Sequence, residues 1–313
     1  MRILLIISTL FIAAPALPAV AQTKTPETFI VVLGIAQDAG YPQLGCTRKC
    51  CAAFWNRQQT KKHCTALAVV DRASNQYWLI EATPDIREQL QTLQSYLPNP
   101  GNYKPDGVFL THAHMGHYTG LLQFGREAMG AGGIPVWTMP RMKEYLRSNG
   151  PWSQLVLLNN IALRPLANDS AVNLNSSLRI TPLQVPHRDE YSETVGFRIE
   201  SGARSILFIP DIDKWSTWNR NLAEEIKKSD MALLDGTFFA NGELPGRDMK
   251  EIPHPFVTET MELLAELPAS EKNKIVFIHF NHTNPLIRQE KNAMDNVKAQ
   301  GMQVASEGMI IGL

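Results

Sequence analysis

Three of the eight histidines of this chain fall within six residues, in His112-Ala-His114-Met-Gly-His117, directly after the apolar run 108–111. Neutral imidazole is the commonest protein ligand for zinc, and on an extended backbone residues two apart point to the same side. His112 and His114 are therefore placed to converge on one ion. His117 falls where a following helix, expected over 118–124, turns the chain, and that change of direction aims a third imidazole at the same pocket. A catalytic metal site keeps one position open for water, so the chemistry implied is metal-assisted hydrolysis. A polar turn with scattered histidines is the competing explanation, and three histidines in six residues at a strand end argue against it.

Three further residues stand immediately after apolar runs and offer ligand atoms: His187 in Gln-Val-Pro-His187, Asp211 in Leu-Phe-Ile-Pro-Asp211 and His279 in Ile-Val-Phe-Ile-His279-Phe. A lone histidine or aspartate in such a place is more often a turn or cap residue than a ligand, so the weight lies in their recurrence. Asp38, on a glycine-flanked loop, either reaches the pocket or hydrogen-bonds its own loop, and Asp235 either supports a ligand or forms a turn. His254, in Ile-Pro-His254-Pro, is either a proton donor or part of a rigid turn. No Gly-x-Ser-x-Gly segment occurs, so no serine nucleophile competes with an activated water.

The segment His112-Ala-His114-Met-Gly-His117 resembles the His-x-His-x-Asp-His signature of the metallo-β-lactamase superfamily, and His187, Asp211 and His279 follow in the order that superfamily uses. The resemblance implies a first metal site of His112, His114 and His187 and a second of His117, Asp211 and His279. It also implies that Asp211 bridges the ions and accepts a hydrogen bond from the nucleophile. The chain departs at Gly116, where the superfamily has the aspartate that binds the second metal, and so a second site lacking that carboxylate is expected. His282 either stands in for it or closes a hydrogen-bonded turn in Asn281-His-Thr-Asn284. A narrower likeness is carried by Gly34-Ile-Ala-Gln-Asp38-Ala-Gly40-Tyr-Pro-Gln-Leu-Gly-Cys46, by 185–197, by Leu234-Asp-Gly-Thr237 and by Phe280-Asn-His-Thr-Asn-Pro285. These are similar to segments of the coenzyme pyrroloquinoline-quinone synthesis protein B family and of the cyclic-phosphate phosphodiesterases. In the latter, the histidine that aligns with His254 lies near the leaving group, which implies Asp211 and His254 as the catalytic pair.

All four cysteines fall in one stretch, at Cys46, Cys50, Cys51 and Cys64. The first residues, MRILLIISTLFIAAPALPAVAQ, join a basic Arg2 to an apolar run and an Ala19-Val20-Ala21 triplet, the pattern of a signal peptide over 1–21 cleaved before Gln22. The run is broken by Pro15 and Pro18 and is shorter than the roughly 20 residues a spanning helix needs. The mature chain is thus expected in the periplasm or outside the cell, without a stable membrane anchor. An oxidising compartment and an even cysteine number favour two disulfides, with Cys50 and Cys51 paired to different partners; a structural zinc is the alternative. With 30 basic and 30 acidic residues there is no global charge to draw nucleic acid, and a small-molecule substrate is the expected partner.

Positioning these groups requires strands that end at one edge. Apolar runs at 29–35, 65–70, 77–80, 108–111, 134–138, 178–185, 195–199, 205–209, 232–234 and 275–278 read as strands. The segments 85–97, 141–148, 221–228 and 256–267 carry helical apolar spacing. No linker or repeat divides 22–313, so one α/β domain is expected, an αββα sandwich of two packed mixed β-sheets flanked by helices. The sequence predicts a hydrolase with one or two ions, Zn²⁺ most simply and Fe²⁺ or Mn²⁺ as alternatives, that directs a metal-activated water at an ester, phosphodiester or amide-like small molecule. The alternative is a pyrroloquinoline-quinone synthesis protein B-like factor acting on a peptide-derived quinone precursor by iron-dependent oxidation.

Overall fold

This computed structural model describes residues 26–202 and 204–313; the expected signal peptide, 1–21, lies outside them. In chain order the strands are β1 (Thr28–Gly34), β2 (Ala66–Asp71), β3 (Gln76–Ile80), β4 (Gly107–Phe109), β5 (Ile134–Thr138), β6 (Ile161–Pro165) and β7 (Val172–Asn173). They continue with β8 (Leu178–Gln184), β9 (Val195–Ser201), β10 (Arg204–Ile209), β11 (Met231–Asp235), β12 (Ile275–Ile278), β13 (Gln303–Val304) and β14 (Ile310–Gly312). They form two mixed seven-stranded sheets, ordered β14-β1-β2-β3-β4-β5-β6 and β13-β12-β11-β10-β9-β8-β7.

Alternation along β1 shows why the layers stack. Ile30 and Val32 belong to the central core, where Leu67, Val69, Trp78 and Phe109 of the first sheet meet Ile180, Phe197, Ile199 and Phe208 of the second. Phe29, Val31 and Leu33 point the other way and share a cluster with Ile86, Leu90 and Leu93 of the helix Ile86–Leu93. A strand covered on both faces has to be apolar throughout, as β1 is. Helices Leu222–Lys227, Val257–Leu263 and Lys291–Ala299 contribute Ile226, Val257 and Val297 to the second sheet's packing. This is the expected αββα sandwich.

Strand direction gathers the chemistry at one edge. β1 and β3 both run antiparallel to β2, and β3 is parallel to β4. In the other sheet β8 and β10 both run antiparallel to β9, while β10, β11 and β12 are parallel. Strands of one direction end together, and Asp38, Glu81, His112, His187, Asp211, Asp235 and His279 lie at or just beyond those ends. Backbone bonds tie the two edges to each other. Phe280 N donates to Ile35 O at 2.7 Å, Gln37 N to Phe280 O at 2.8 Å, and Val195 N to Thr111 O at 3.1 Å.

The helical spacing over 85–97 yields a helix only to Leu93. Gln94 ends it by turning its side chain onto Leu90 O and accepting from Gly101 N, and Pro98 cannot continue it, although Leu97 is still buried. The segment 118–124 is not an α-helix but a short α-helix Met115–Tyr118 followed by a 3₁₀ helix Thr119–Phe124. Gly120 there packs so closely that a Cβ would lie 2.0 Å from Thr83 O. Strands β6, β7, β13 and β14 are too short or too exposed to show an alternation that the sequence could reveal. Among the described residues no helix is long and apolar enough to cross a membrane.

Candidate metal centre

The turn after β4 brings His112 Nε2 to 2.8 Å from His114 Nδ1. His187, just beyond β8, places its Nε2 3.3 Å from the same His114 nitrogen. Asp211, after β10, completes the group with Oδ2 3.3 Å from His112 Nε2 and Oδ1 3.2 Å from His187 Nε2. Ligand atoms around a tetrahedral ion with bonds of about 2.0–2.1 Å sit roughly 3.3 Å apart, close to the spacing of these four side chains.

His117 and His279 form a second group on the other side of Asp211. Their Nε2 atoms are 3.4 Å apart, and each is 3.9 Å from Asp211 Oδ2. Asp38 enters from the loop after β1, with Oδ1 3.0 Å from His117 Nε2. All six ligand candidates from the sequence therefore converge, and Asp38 joins them. Gly116 leaves the motif itself without a carboxylate, and Asp38 stands beside it, close to His117.

Most of the inward-facing imidazoles are held from behind. His117 Nδ1 meets Glu81 Oε1 at 3.1 Å, His187 Nδ1 meets Asp213 Oδ1 at 3.0 Å, and His279 Nδ1 and His112 Nδ1 each meet a threonine Oγ1, of Thr237 and Thr111, at 2.9 Å. The opposite ring nitrogen is thereby left to face the centre, as outer partners do for metal-binding histidines. Thr111 donates in turn to Glu81. Sequence reasoning missed Glu81 and Asp213; the available signals were a carboxylate directly after β3 and a second one two residues beyond Asp211. Glu81 and His279 adopt φ of +79° and +68°, a left-handed backbone that persists only where surrounding contacts impose it.

Asp235 supports this assembly from outside. Its Oδ1 accepts from Thr237 N at 2.8 Å, while Oδ2 accepts from Ile212 N at 3.1 Å and lies 2.9 Å from His254 Nδ1. That same His254 nitrogen is 3.2 Å from Asp211 Oδ1, so His254 is buried between two carboxylates.

Burial, reinforced by His117, takes His112 well below the usual imidazole range, and burial takes His279 down to about 4. At His187 burial is outweighed by Asp211 and Asp213, which lift it to about 10. Burial is likewise outweighed at His117 by Glu81 and Asp38, and at His254 by Asp211 and Asp235. Asp211 is held well below the carboxylate range by His187 and His254 in spite of its burial. Metal uptake by such a mixture of neutral and protonated imidazoles is coupled to proton release.

Two carboxylate oxygens, Asp38 Oδ1 and Asp211 Oδ1, are buried without a hydrogen-bond partner. Ring nitrogens nevertheless lie 3.0–3.2 Å from them. Oxygen and nitrogen atoms this close without hydrogen-bond geometry are aimed at a common point, the disposition of ligands around one cation. Imidazole with carboxylate suits Zn²⁺ or Fe²⁺. The β-lactamase superfamily domain matches residues 77–280 of the chain.

The chain belongs to the metallo-β-lactamase superfamily.

Superfamily relatives similar over almost the whole length include coenzyme PQQ synthesis protein B of Xanthomonas axonopodis pv. citri (strain 306), 26% identical over 91% of this chain and 99% of that protein. The protein of the same name from Pseudomonas protegens is 29% identical over 91% of this chain and 100% of its own. Among solved structures, Zn²⁺-bound PqqB from Methylobacterium extorquens superposes with a TM-score of 0.75 at 23% identity, covering 91% of this chain and 100% of that one. A diphosphatase of the PhnP family gives 0.61 at 20% identity, covering 91% and 98%. These structural likenesses show the metallo-β-lactamase fold, in a superfamily that has hydrolases among its members.

The superfamily centre is accompanied by a second cluster. The expected pair of disulfides is absent: all four cysteines are free. Cys46 Sγ and Cys50 Sγ are 3.5 Å apart, against about 2.0 Å for a bonded pair. His282 Nδ1 lies 3.6 Å from Cys50 Sγ and 3.4 Å from Cys51 Sγ. Tetrahedral ligands at Zn–S bonds of about 2.3 Å sit roughly 3.8 Å apart, so these four side chains have nearly the spacing of a zinc group. Burial, then Arg48 and Arg288, bring His282 down to about 4 and keep it a neutral donor. His282 thus neither replaces the motif aspartate nor serves the turn alone. Cys64 stands apart and donates its thiol to Asp38 O at 3.2 Å.

Proposed function

We propose that this chain is a metal-dependent hydrolase holding two divalent ions, Zn²⁺ most simply, with a further structural zinc between Cys46, Cys50, Cys51 and His282. The observation that carries the reading is the position of Asp211, whose Oδ2 faces His112 at 3.3 Å and both His117 and His279 at 3.9 Å, so that one carboxylate serves both groups. Divalent ions bound there supply an activated water and polarise a substrate oxygen. Asp211 orients that water. His254, its Nδ1 committed to Asp235, keeps its other nitrogen for protonating the leaving group.

A small ester or phosphodiester fits the surroundings. His187 forms part of the wall of a cavity of about 400 Å³ with Trp218 and Thr194. Asp38 borders another of about 350 Å³ with Trp55, Lys61 and Met115. Next to His187, the exposed Arg188 places Nη2 3.2 Å from His114 Nε2 and Nη1 3.7 Å from Glu190 Oε1, a cation within reach of an anionic substrate. Elemental analysis of protein purified without added metal, followed by hydrolysis assays on bis(4-nitrophenyl) phosphate and on an alkyl 4-nitrobenzoate, tests the reading. Metal-free protein that neither binds Zn²⁺ nor hydrolyses either ester after loading would sink it. Within that assay His254→Ala is expected to lower kcat by about 10²–10⁴ on the alkoxide leaving group with metal content unchanged. The loss should shrink for 4-nitrophenolate, which leaves without a proton. An equal loss on both substrates would remove His254 as proton donor.

Similarity over 91% of the chain to proteins named coenzyme PQQ synthesis protein B favours a second reading, a related factor that acts on a peptide-derived quinone precursor with iron at the same residues. Iron rather than zinc in the purified protein would select it. We further propose export: the mature chain should begin at Gln22 and appear in a periplasmic or extracellular fraction, whereas N-terminal sequencing that finds Met1 in the cytosol would exclude this.

A further inference from the structure

We infer that Asp38, delivered from the loop after β1, is the carboxylate ligand of the second metal ion, and that Gly116 is glycine because Asp38 occupies the space its side chain would need. The inference rests on the two-ion reading of the centre. It assigns to a residue 78 positions before Gly116 the work that the superfamily's motif aspartate does from within the motif.

The first argument is steric. A Cβ built on Gly116 would stand 2.3 Å from Asp38 Cα, 2.6 Å from Asp38 Oδ1 and 3.0 Å from Asp38 Cβ. Two of those atoms are far inside any tolerable contact, and the nearest is backbone. Positions 116 and 38 therefore exclude each other's side chains from one volume. Glycine is often required by a left-handed backbone, but Gly116 lies in the helix Met115–Tyr118 and is not among the residues of positive φ. Space is the remaining reason for it.

The second argument is the direction of the carboxylate. Asp38 Oδ2 accepts from Gln37 Nε2 at 3.1 Å, which fixes the group's rotation. Oδ1 is then left buried, without a hydrogen bond, 3.0 Å from His117 Nε2. The ligand atoms of Asp38, His117 and His279 all lie within 4.8 Å of one another. A buried carboxylate oxygen with no donor is costly unless a cation completes it.

The third argument is that the loop is built to hold this position. Gln37 N donates to Phe280 O and Phe280 N to Ile35 O, so the residues next to Asp38 and next to His279 are paired by main-chain bonds. The Cys64 thiol donates to Asp38 O from the other side. Eight residues further on, Cys46 begins the group that also takes His282, three residues after His279. Asp38 and His279 thus reach the ion on two segments that are joined by hydrogen bonds and gathered again by the cysteine cluster. With Asp38 and Asp211 both ionised, the second group offers two carboxylates to a dication, as many as the superfamily motif would.

The experiment is a Co²⁺ titration of apo-protein, in wild type and in Asp38→Ala and Asp38→Asn, followed by calorimetry and absorbance, with circular dichroism to confirm folding. The thiolate charge-transfer band reports the cysteine group, and d–d absorbance and heat that develop without growth of that band report the imidazole groups, so the three events are separated without any activity assay. Wild type is expected to show two tight events at the imidazole groups. Asp38→Ala should leave one of these and the cysteine event intact and weaken the other by at least about 100-fold, since even outer partners of metal ligands are worth 10–100-fold. Asp38→Asn, which keeps shape and loses charge, should fall between. A folded Asp38→Ala or Asp38→Asn protein with both imidazole events as tight as wild type overturns the assignment while leaving the two-ion reading in place. A wild type with a single imidazole event overturns both.

Discussion

On the two-ion reading, replacing Gly116 by alanine is expected to cost the protein its second metal ion while the first ion and the proposed cysteine-held ion remain. The substitution adds one carbon, which would stand 2.3 Å from Asp38 Cα. No rotamer relieves a clash between a Cβ and a backbone atom, so the Asp38 loop has to retreat and carry its carboxylate away from His117. The retreat strains the bonds from Gln37 N to Phe280 O and from the Cys64 thiol to Asp38 O. Overpacking of this kind costs about 1–3 kcal/mol, and for a chain of this size that lowers Tm by about 2–12 °C. Aspartate at the same place, which the superfamily signature suggests as an improvement, is expected to do no better because its Cβ meets the same backbone. Elemental analysis and calorimetry check both variants. Full metal content at an unchanged Tm in Gly116→Ala would show that the loop yields freely and that nothing fixes Asp38 where it stands.

Replacing His282 by alanine is expected to have its main effect on stability. The imidazole is one of four donors around the cysteine group, with its Nδ1 3.4 Å from Cys51 Sγ and 3.6 Å from Cys50 Sγ. Without it, three thiols crowded within contact distance keep no neutral partner, and zinc there loses a ligand. The group ties the segment 46–51 to the segment after β12, 231 residues from Cys51. Loss of a covalent tie across so long a loop costs about 2–5 kcal/mol in the comparable case of a disulfide. Translated to this chain, Tm should fall by about 4–20 °C, with one equivalent of zinc missing. His112→Ala should also lose an equivalent of metal but leave Tm nearer the wild-type value, because the strand ends that its site joins are already tied by the sheets and by the bond from Val195 N to Thr111 O. The comparison is made by differential scanning calorimetry on protein of measured zinc content. If His282→Ala kept its full zinc and its Tm, the four side chains would be a packed cluster and no clamp.

Much of the centre was legible because its ligands announce themselves locally. His112, His114 and His117 lie in one short segment, and His187, Asp211 and His279 each follow an apolar run that does become a strand. A residue at the end of a strand is placed by the sheet, and the sheet is specified by alternation and apolarity that a sequence displays. The same locality explains the errors. The four cysteines lie close together in sequence, which made pairing among them the natural expectation. Their fourth partner is a histidine from the far end of the chain, and Cys64 is turned toward Asp38 O instead. Gly116 reads as a gap within the motif, and Asp38, the carboxylate that lies beside it, stands 78 positions earlier in the chain.

By itself, then, the sequence determined the strands, the superfamily and six side chains that converge, since each depends on short-range pattern and on the order in which strand ends recur. Only the tertiary structure decided which residues complete and orient them. Asp38 reaches His117 because the extension of β1 pairs with that of β12 across the two sheets. Glu81 stands behind His117 because β3 and β4 are parallel neighbours whose ends coincide. His282 meets the cysteines because the same inter-sheet pairing carries its loop to theirs. Those contacts are set by sheet order and strand direction, and spacing along the chain places no constraint on which loops a sandwich brings to the same edge.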